Sequence, residues 1–176
     1  GAAKARAKLR EIQSLAVSTV EEIHKIVYEL RPTVLDDLGL IAAMQWYAEN
    51  YLEPAGVEVH FETAGQERRL PIEAETALFR IVQEATTNII RHAEAESASM
   101  TLEFKGTSVA IHIEDDGRGF DVHEVMSKME GTRGLGLLGM KERAEFLGGV
   151  LSIRSQPSLG TEIDVEIPVD EEVSDD

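Results

Sequence analysis

The chain has 176 residues, 43% of them apolar and 28% charged, so it is long enough for one ordinary domain with an appended element and apolar enough to bury a core. Its 33 acidic residues against 17 Lys and Arg leave a net charge of −16, which excludes a protein that neutralises the phosphates of nucleic acid; one nucleotide, by contrast, needs only a few local donors. It has no cysteine, hence no disulfide or thiolate metal site, and no apolar run nears the roughly 20 residues of a membrane span, so no membrane contact is expected.

The opening Gly1-Ala2-Ala3-Lys4 leads into no apolar stretch of the kind a secretory leader carries. Residues 4–31 read as one long helix. Ile12, Ala16, Thr19, Ile23, Ile26 and Leu30 recur at alternating spacings of four and three, a heptad-like stripe that serves either a helix docked on its own domain or a helix of a dimeric bundle. Pro32 ends it. A second helix, capped by Asp36-Asp37, runs to about Glu53 with Leu40, Ala43, Met44, Tyr47 and Tyr51 on its inner face, and Pro54-Ala55-Gly56 closes it. Val57, Val59 and Phe61 alternate as a strand.

Pro71 opens a third helix, whose buried stripe includes Leu78, Ile81, Val82, Ala85 and Ile89. A hairpin follows: Met100, Leu102 and Phe104 alternate, Lys105-Gly106 turns, and Val109, Ile111 and Ile113 alternate back. From Asp115 to Gly136 the chain is polar and glycine-rich, as a functional loop or lid would be. A helix from about Leu137 stops at Gly148-Gly149. Val150, Leu151 and Ile153 begin a strand, Pro157-Ser158-Leu159-Gly160 turns, and Ile163, Val165 and Ile167 alternate to the end. Residues 171–176 complete an acidic run expected to be a solvated tail. This order predicts an α+β sandwich, a mostly antiparallel mixed sheet with helices on one face, preceded by the long N-terminal helix.

Three islands carry chemistry. On the third helix Glu84, Asn88 and His92 are spaced four apart and share one face. Asn88 offers a neutral oxygen to a hard cation such as magnesium, Glu84 is placed to polarise a water or a substrate nitrogen, and Arg91 and His92 to contact phosphates. The alternative is the ordinary polar face of an amphipathic helix. The second island is Asp115-Asp116-Gly117-Arg118-Gly119-Phe120 at a strand end. A carboxylate accepts a hydrogen bond from the exocyclic amine of adenine, and Gly117 and Gly119 let the backbone approach a flat ring, although Asp-Gly-x-Gly is also a common turn. The third is Gly131-Thr132-Arg133-Gly134-Leu135-Gly136-Leu137-Leu138-Gly139-Met140, glycines opening onto a helix whose free N–H groups suit phosphate. Gly134, Gly136 and Gly139 fit G-x-G-x-x-G, but Met126-Ser127-Lys128-Met129-Glu130 before them is no strand, which rejects a dinucleotide fold; no P-loop motif occurs either.

In this order and spacing, with Gly160-Thr161 between the last strands, the islands resemble the N, G1 and G2 boxes of the GHKL ATPase superfamily of gyrase, Hsp90, histidine kinases and MutL, over residues 32 to 168. Within it, Glu29-Leu30-Arg31-Pro32, Leu35-Asp36-Asp37-Leu38-Gly39-Leu40 and Gly136-Leu137-Leu138-Gly139-Met140-Lys141-Glu142-Arg143 resemble sensor histidine kinases that pair with NarL/LuxR-type response regulators. The resemblance implies a Bergerat-type sandwich at residues 32–170 behind the second helix of a dimerisation region at residues 1–31. It implies ATP and Mg2+ as ligands, with Asp115 on the adenine amine and Thr161 beside it. Asn88 would sit on magnesium, Glu84 in the catalytic role, and Arg91 and His92 near phosphates. Gly117, Gly119, Gly134, Leu135, Gly136 and Leu137 would shape the pocket and a short lid between about Asp121 and Thr132.

The implied activity is transfer of the ATP γ-phosphoryl to a histidine of the chain's own dimerisation domain, in a homodimer of the full-length protein in the cytoplasm, for relay to the response regulator. The family's acceptor histidine, flanked by basic residues and an acid on the first dimerisation helix, has no counterpart here: His24 lies on what resembles the second helix. A serine kinase of the anti-sigma-factor type, a vestigial dimerisation module and a gyrase- or Hsp90-type ATPase are the rivals. The leading helix argues against the first, the intact Asn88, Asp115 and glycine clusters against the second, and the missing transducer domain against the third.

Overall fold

The alternating apolar positions of the second half of the chain become one face of a five-stranded sheet. The computed structural model describes Lys8 and residues 33–127 and 135–169. The expected long helix at 4–31, the Gly131–Gly134 glycines and the acidic tail at 171–176 therefore lie outside the described residues. In chain order come α1 (Thr33–Leu38), α2 (Leu40–Leu52), β1 (Glu58–Gly65), α3 (Ile72–Asn88), a π-turn (Ile89–Ala93), β2 (Ser97–Phe104), β3 (Ser108–Asp115), α4 (Val122–Ser127), α5 (Leu135–Phe146), β4 (Val150–Ser155) and β5 (Thr161–Pro168).

The strand order is β1-β2-β3-β5-β4. Only β1 and β2 run parallel; α3 makes the crossover that such a pair requires, and the other neighbours are antiparallel. Period-two alternation sends Met100, Leu102, Phe104, Val109, Ile111, Ile113, Ile163, Val165 and Ile167 to the buried face. The other face carries His112, Glu114, Arg154, Glu162, Asp164 and Glu166, linked by contacts such as His112 Nδ1 to Asp164 Oδ1 at 2.8 Å. Among the described residues no helix covers that polar face, and the helices of the α+β sandwich lie on the other side.

α3 is the central helix. Leu78, Phe79, Ile81 and Val82 are fully buried and Ala85 nearly so, because α2 packs on one flank and α5 and β3 on others. Each large apolar side chain withdrawn from water in this way contributes roughly 1.5–3 kcal/mol. Tyr47 of α2 meets Phe79 edge-on with ring centroids 5.7 Å apart.

Three details depart from the reading of the sequence. Asp36 and Asp37 do not cap α2; they sit inside the separate short helix α1. The residue at the α2 cap is Gly39, whose φ of 77° is open to glycine and strained for other residues, and it breaks the two helices apart. Tyr51 is exposed and stacks on Tyr47 at 4.3 Å, while Ala48 and Leu52 complete the inner face. Finally, the polar stretch after β3 contains α4. Its N-terminus was marked in the sequence by Asp121 and Glu124 three residues apart: Asp121 Oδ1 accepts from the Glu124 N–H at 2.9 Å.

Thr86 on α3 is fully buried, and its hydroxyl has no hydrogen-bond partner. Valine has the same shape without the stranded oxygen. Thr86→Val is expected to raise stability by about 1 kcal/mol in denaturant unfolding, since an unsatisfied buried polar group costs ~1–3 kcal/mol. A lower midpoint would show that the hydroxyl is satisfied.

Candidate functional site

Strand parity puts a charge where apolar residues belong. Asp115 continues the buried alternation of Val109, Ile111 and Ile113, so its carboxyl turns toward the helical layer at the end of β3 and is only 7% exposed. Burial raises its pKa above the usual aspartate value. The Gly117 N–H, donating to Oδ1 at 2.9 Å, and the Thr161 hydroxyl oppose the rise, and the charges of Asp116 and Glu114 add to it. The register pairs Asp115 with Thr161 on β5, and Thr161 with Ser155 on β4, so three polar side chains form one row across the end of the sheet's inner face.

The loop after β3 is fitted tightly. A Cβ at Gly117 would stand 2.4 Å from the Ala93 carbonyl oxygen, and one at Gly119 2.0 Å from that of Gln156. At Gly160 it would meet the Asp115 carbonyl oxygen at 2.0 Å, on a backbone with φ of 73°. The Arg118 N–H donates to the Ala93 carbonyl at 2.7 Å and its Nε to the His92 carbonyl at 2.6 Å, which ties this loop to the π-turn.

The π-turn begins where Asn88 ends α3. The Ile89 N–H is shared between the carbonyls of Ala85 and Thr86, and the helix then widens over Ile89–Ala93. Glu84 and Asn88 remain one ordinary turn apart. Beyond Asn88 the wider spacing takes His92 off the strict four-residue line, and both Arg91 and His92 are exposed. Asn88 is half-buried, and its Nδ2 is buried without a partner. Glu84 meets α5: a Cβ at Gly136 would fall 1.9 Å from Glu84 Oε1, so only glycine lets the carboxylate lie against that backbone. Leu137 packs against the core. Gly134 lies outside the described residues, and Leu135 begins α5 with its side chain likewise outside them.

One helix and its π-turn thus touch both glycine segments. Gly117 lies at Ala93, Gly136 lies at Glu84, and Asn88 falls between. Nine residues at ~1.5 Å each make the separation roughly 13 Å. Among the described residues no group of three or more His, Asp or Glu is placed to hold a metal by itself. Magnesium needs no such group: it keeps several waters, takes oxygens from phosphates and adds one or two protein ligands. Asn88, half-buried at mid-site, has an Oδ1 of the kind that demand calls for, and its unpartnered Nδ2 is a donor left for a ligand oxygen.

Sequence reasoning missed Ser155, whose Oγ accepts from the Phe120 N–H at 2.9 Å and lies 2.7 Å from the Gly160 carbonyl oxygen. A serine before a turn carries no signal; only the register places it beside Thr161. The carbonyls of His92 and Ala93 were likewise invisible, because backbone acceptors leave no mark in a sequence.

Residues 73–171 match the family described as histidine kinase-, DNA gyrase B-, and HSP90-like ATPase. The chain is 40% identical over 169 residues to the signal transduction histidine-protein kinase/phosphatase DegS of Brevibacillus brevis, covering 96% of this chain and 42% of that protein. It is 33% identical over 160 residues to the oxygen sensor histidine kinase NreB of Staphylococcus carnosus, covering 91% and 45%. The chain therefore spans less than half the length of these relatives. The histidine kinase domain of the blue-light activated histidine kinase from Erythrobacter litoralis EL346 superposes with a TM-score of 0.54 at 22% identity, over 72% of this chain and 61% of that one. At that identity the likeness is one of fold. It extends to the five-stranded mixed sheet with helices.

Proposed function

The chain belongs to the histidine kinase-, DNA gyrase B- and HSP90-like ATPases, and on that premise we propose that it is the ATP-binding catalytic domain of a sensor histidine kinase. The observation that carries this reading is the approach of both glycine segments to one helix: Gly117 against Ala93 and Gly136 against Glu84, with Asn88, whose Nδ2 is unpartnered, between them. An extended nucleoside triphosphate spans such a gap, with its base at the buried carboxylate and its phosphates at the N-terminus of α5.

Each residue then has a task. Asp115 accepts a hydrogen bond from the adenine amine, beside Thr161. Gly117 and Gly119 keep the loop thin enough for a planar ring. Backbone N–H groups of Leu135, Gly136 and Leu137 face the phosphates at the positive end of α5, and Arg91 and His92, both exposed, reach them from the π-turn. Asn88 would ligate magnesium, which when bound neutralises charge on the phosphates. Glu84 takes the proton of an attacking imidazole nitrogen while the new N–P bond forms and the bond to ADP breaks. Catalysis of this kind is positioning and electrostatics, which suits side chains fixed on a central buried helix.

The phosphoryl acceptor is a histidine of the dimerisation domain in the full-length homodimer, and the phosphoryl group passes on to a NarL/LuxR-type response regulator. The similarity to DegS and NreB supports this assignment over a serine kinase or a gyrase-type ATPase. Incubation of the chain with γ-labelled ATP and magnesium is expected to show saturable binding and no stable acid-labile label. Stable phosphohistidine on the chain would overturn the assignment of the acceptor to another segment, and absence of nucleotide binding would overturn the site.

A further inference from the structure

The strand register lines up Ala98, Asp115, Thr161 and Ser155 across the inner face at one end of the sheet. Three of these four are polar in a layer otherwise dominated by apolar side chains. Ser155 is half-buried and unusually well partnered. Its Oγ accepts the Phe120 N–H at 2.9 Å, lies 2.7 Å from the Gly160 carbonyl oxygen and stands 3.2 Å from Thr161 Oγ1. Resting on the nucleotide reading above, we infer that Ser155 is a positioning residue of the base pocket: it fixes the Thr161 hydroxyl so that its proton points at the Asp115 carboxylate, and it anchors the loop that covers the base.

Proton accounting supports this. Ser155 and Thr161 have one hydroxyl proton each. The register sets Thr161 beside the Asp115 carboxylate, which has no proton to give, so in any hydrogen bond between the two Thr161 is the donor. The Thr161 oxygen is then left as an acceptor facing Ser155, and the one Ser155 proton goes to the Gly160 carbonyl at 2.7 Å, with the Thr161 oxygen at 3.2 Å as the weaker branch of a three-centre bond. The Phe120 N–H holds the Ser155 oxygen in place. Through that shared proton Ser155 biases the Thr161 hydroxyl toward the carboxylate, and the outer lone pairs of Asp115 are left to the adenine amine. Without Ser155 the Thr161 hydroxyl is free to rotate off the carboxylate, and the Phe120 amide loses its acceptor.

Around Asp115, β2 contributes Ala98, β5 contributes Thr161 and the π-turn contributes Ala93, so the charged groups acting on it are Glu114 and Asp116 of its own strand end. None of these changes in a Ser155 variant. A weaker Thr161 donor must therefore appear as a carboxyl that protonates more easily.

The test is ATP affinity as a function of pH for the wild-type chain, Ser155→Ala and Ser155→Thr, with thermal unfolding of each. Ser155→Ala is expected to bind ATP roughly 5- to 30-fold more weakly at pH 7.5, and to lose ATP at a higher pH on acidification than the wild-type chain does. Ser155→Thr, which keeps the hydroxyl, restores both. If Ser155→Ala does not fold, Ser155→Cys, with its weak donor, takes its place under the same readouts. Wild-type affinity together with a wild-type pH midpoint overturns the inference. Weaker binding with an unmoved midpoint also overturns it, reducing Ser155 to a loop anchor. Failure of the wild-type chain to bind ATP would instead sink the nucleotide site itself.

Discussion

Asp115→Asn is expected to cut ATP affinity by about ten- to a hundredfold while making the nucleotide-free domain more stable. The binding loss follows from the chemistry of the pair. A carboxylate accepts from the adenine amine, whereas an amide that keeps its oxygen on the Gly117 N–H turns its own NH2 toward that amine, setting donor against donor. A hydrogen bond to a charged group contributes ~1.5–3 kcal/mol, and each 1.4 kcal/mol is tenfold. Guanine carries a carbonyl where adenine carries the amine, so GTP affinity falls little and the preference for ATP narrows. Calorimetric titration with both nucleotides decides the matter: equal losses for ATP and GTP would remove Asp115 from base recognition.

The stability gain has a definite sign. Burial raises the Asp115 pKa in the folded chain above its unfolded value. Such a group contributes nothing below the unfolded pKa, where both states are protonated. As pH rises through the folded pKa the penalty of a buried charge grows, and above it the penalty is complete. Where Asp115 is ionised the wild-type domain carries this penalty and Asp115→Asn carries none. The variant's melting temperature should therefore exceed that of the wild type at pH 7, and the gap should close on acidification. Nucleotide binding follows the opposite course in the wild-type chain, because acid protonates the acceptor. The affinity loss should begin above the pH range of an ordinary aspartate and be absent in Asp115→Asn.

The same contrast explains what was legible before any coordinates. Strands and helices with a clean period, such as Val109–Ile113 and the Leu78–Ile89 stripe, follow from which side chains must avoid water, and sequence displays that directly. Asp115 stood out as a carboxylate at a strand end beside Gly117 and Gly119, while its burial on the inner face shows only in the folded sheet. The Glu84, Asn88, His92 spacing was read as one straight face, yet the widened turn after Asn88 shifts the last of the three. Nothing local distinguishes Ile89–Ala93 from further α-helix; the loop docked on the carbonyls of His92 and Ala93 is what accompanies the change. Ser155 was silent for a related reason: its partners are Phe120, Gly160 and Thr161, and the 35-position separation of Ser155 from Phe120 closes only in the fold. The cap of α2 was misassigned because two aspartates outranked a glycine by side-chain preference, whereas the backbone needed a left-handed residue at Gly39.

Asn88→Ala should separate the cation from the nucleotide. The amide sits at the end of α3 between the loop at Ala93 and the glycine backbone at Glu84, and its Nδ2 is buried without a partner. That donor suits a ligand oxygen, since a buried polar group left unpaired costs ~1–3 kcal/mol, whereas the atom offered to magnesium is the amide's Oδ1. Alanine is a better helix residue and strands no atom, so the nucleotide-free variant should melt no lower than the wild type. With magnesium present, ATP affinity should fall at least tenfold; in excess chelator, wild type and variant should bind ATP within about twofold of each other, since the lost interaction is then missing from both. The ratio of the two affinities isolates a cation-dependent role, because a packing defect would weaken binding equally with and without metal. An Asn88→Ala chain whose ATP affinity still rises with magnesium as steeply as the wild type's would move the cation to another ligand. The amide would then stand as a structural flaw at the start of the π-turn, without a part in the chemistry.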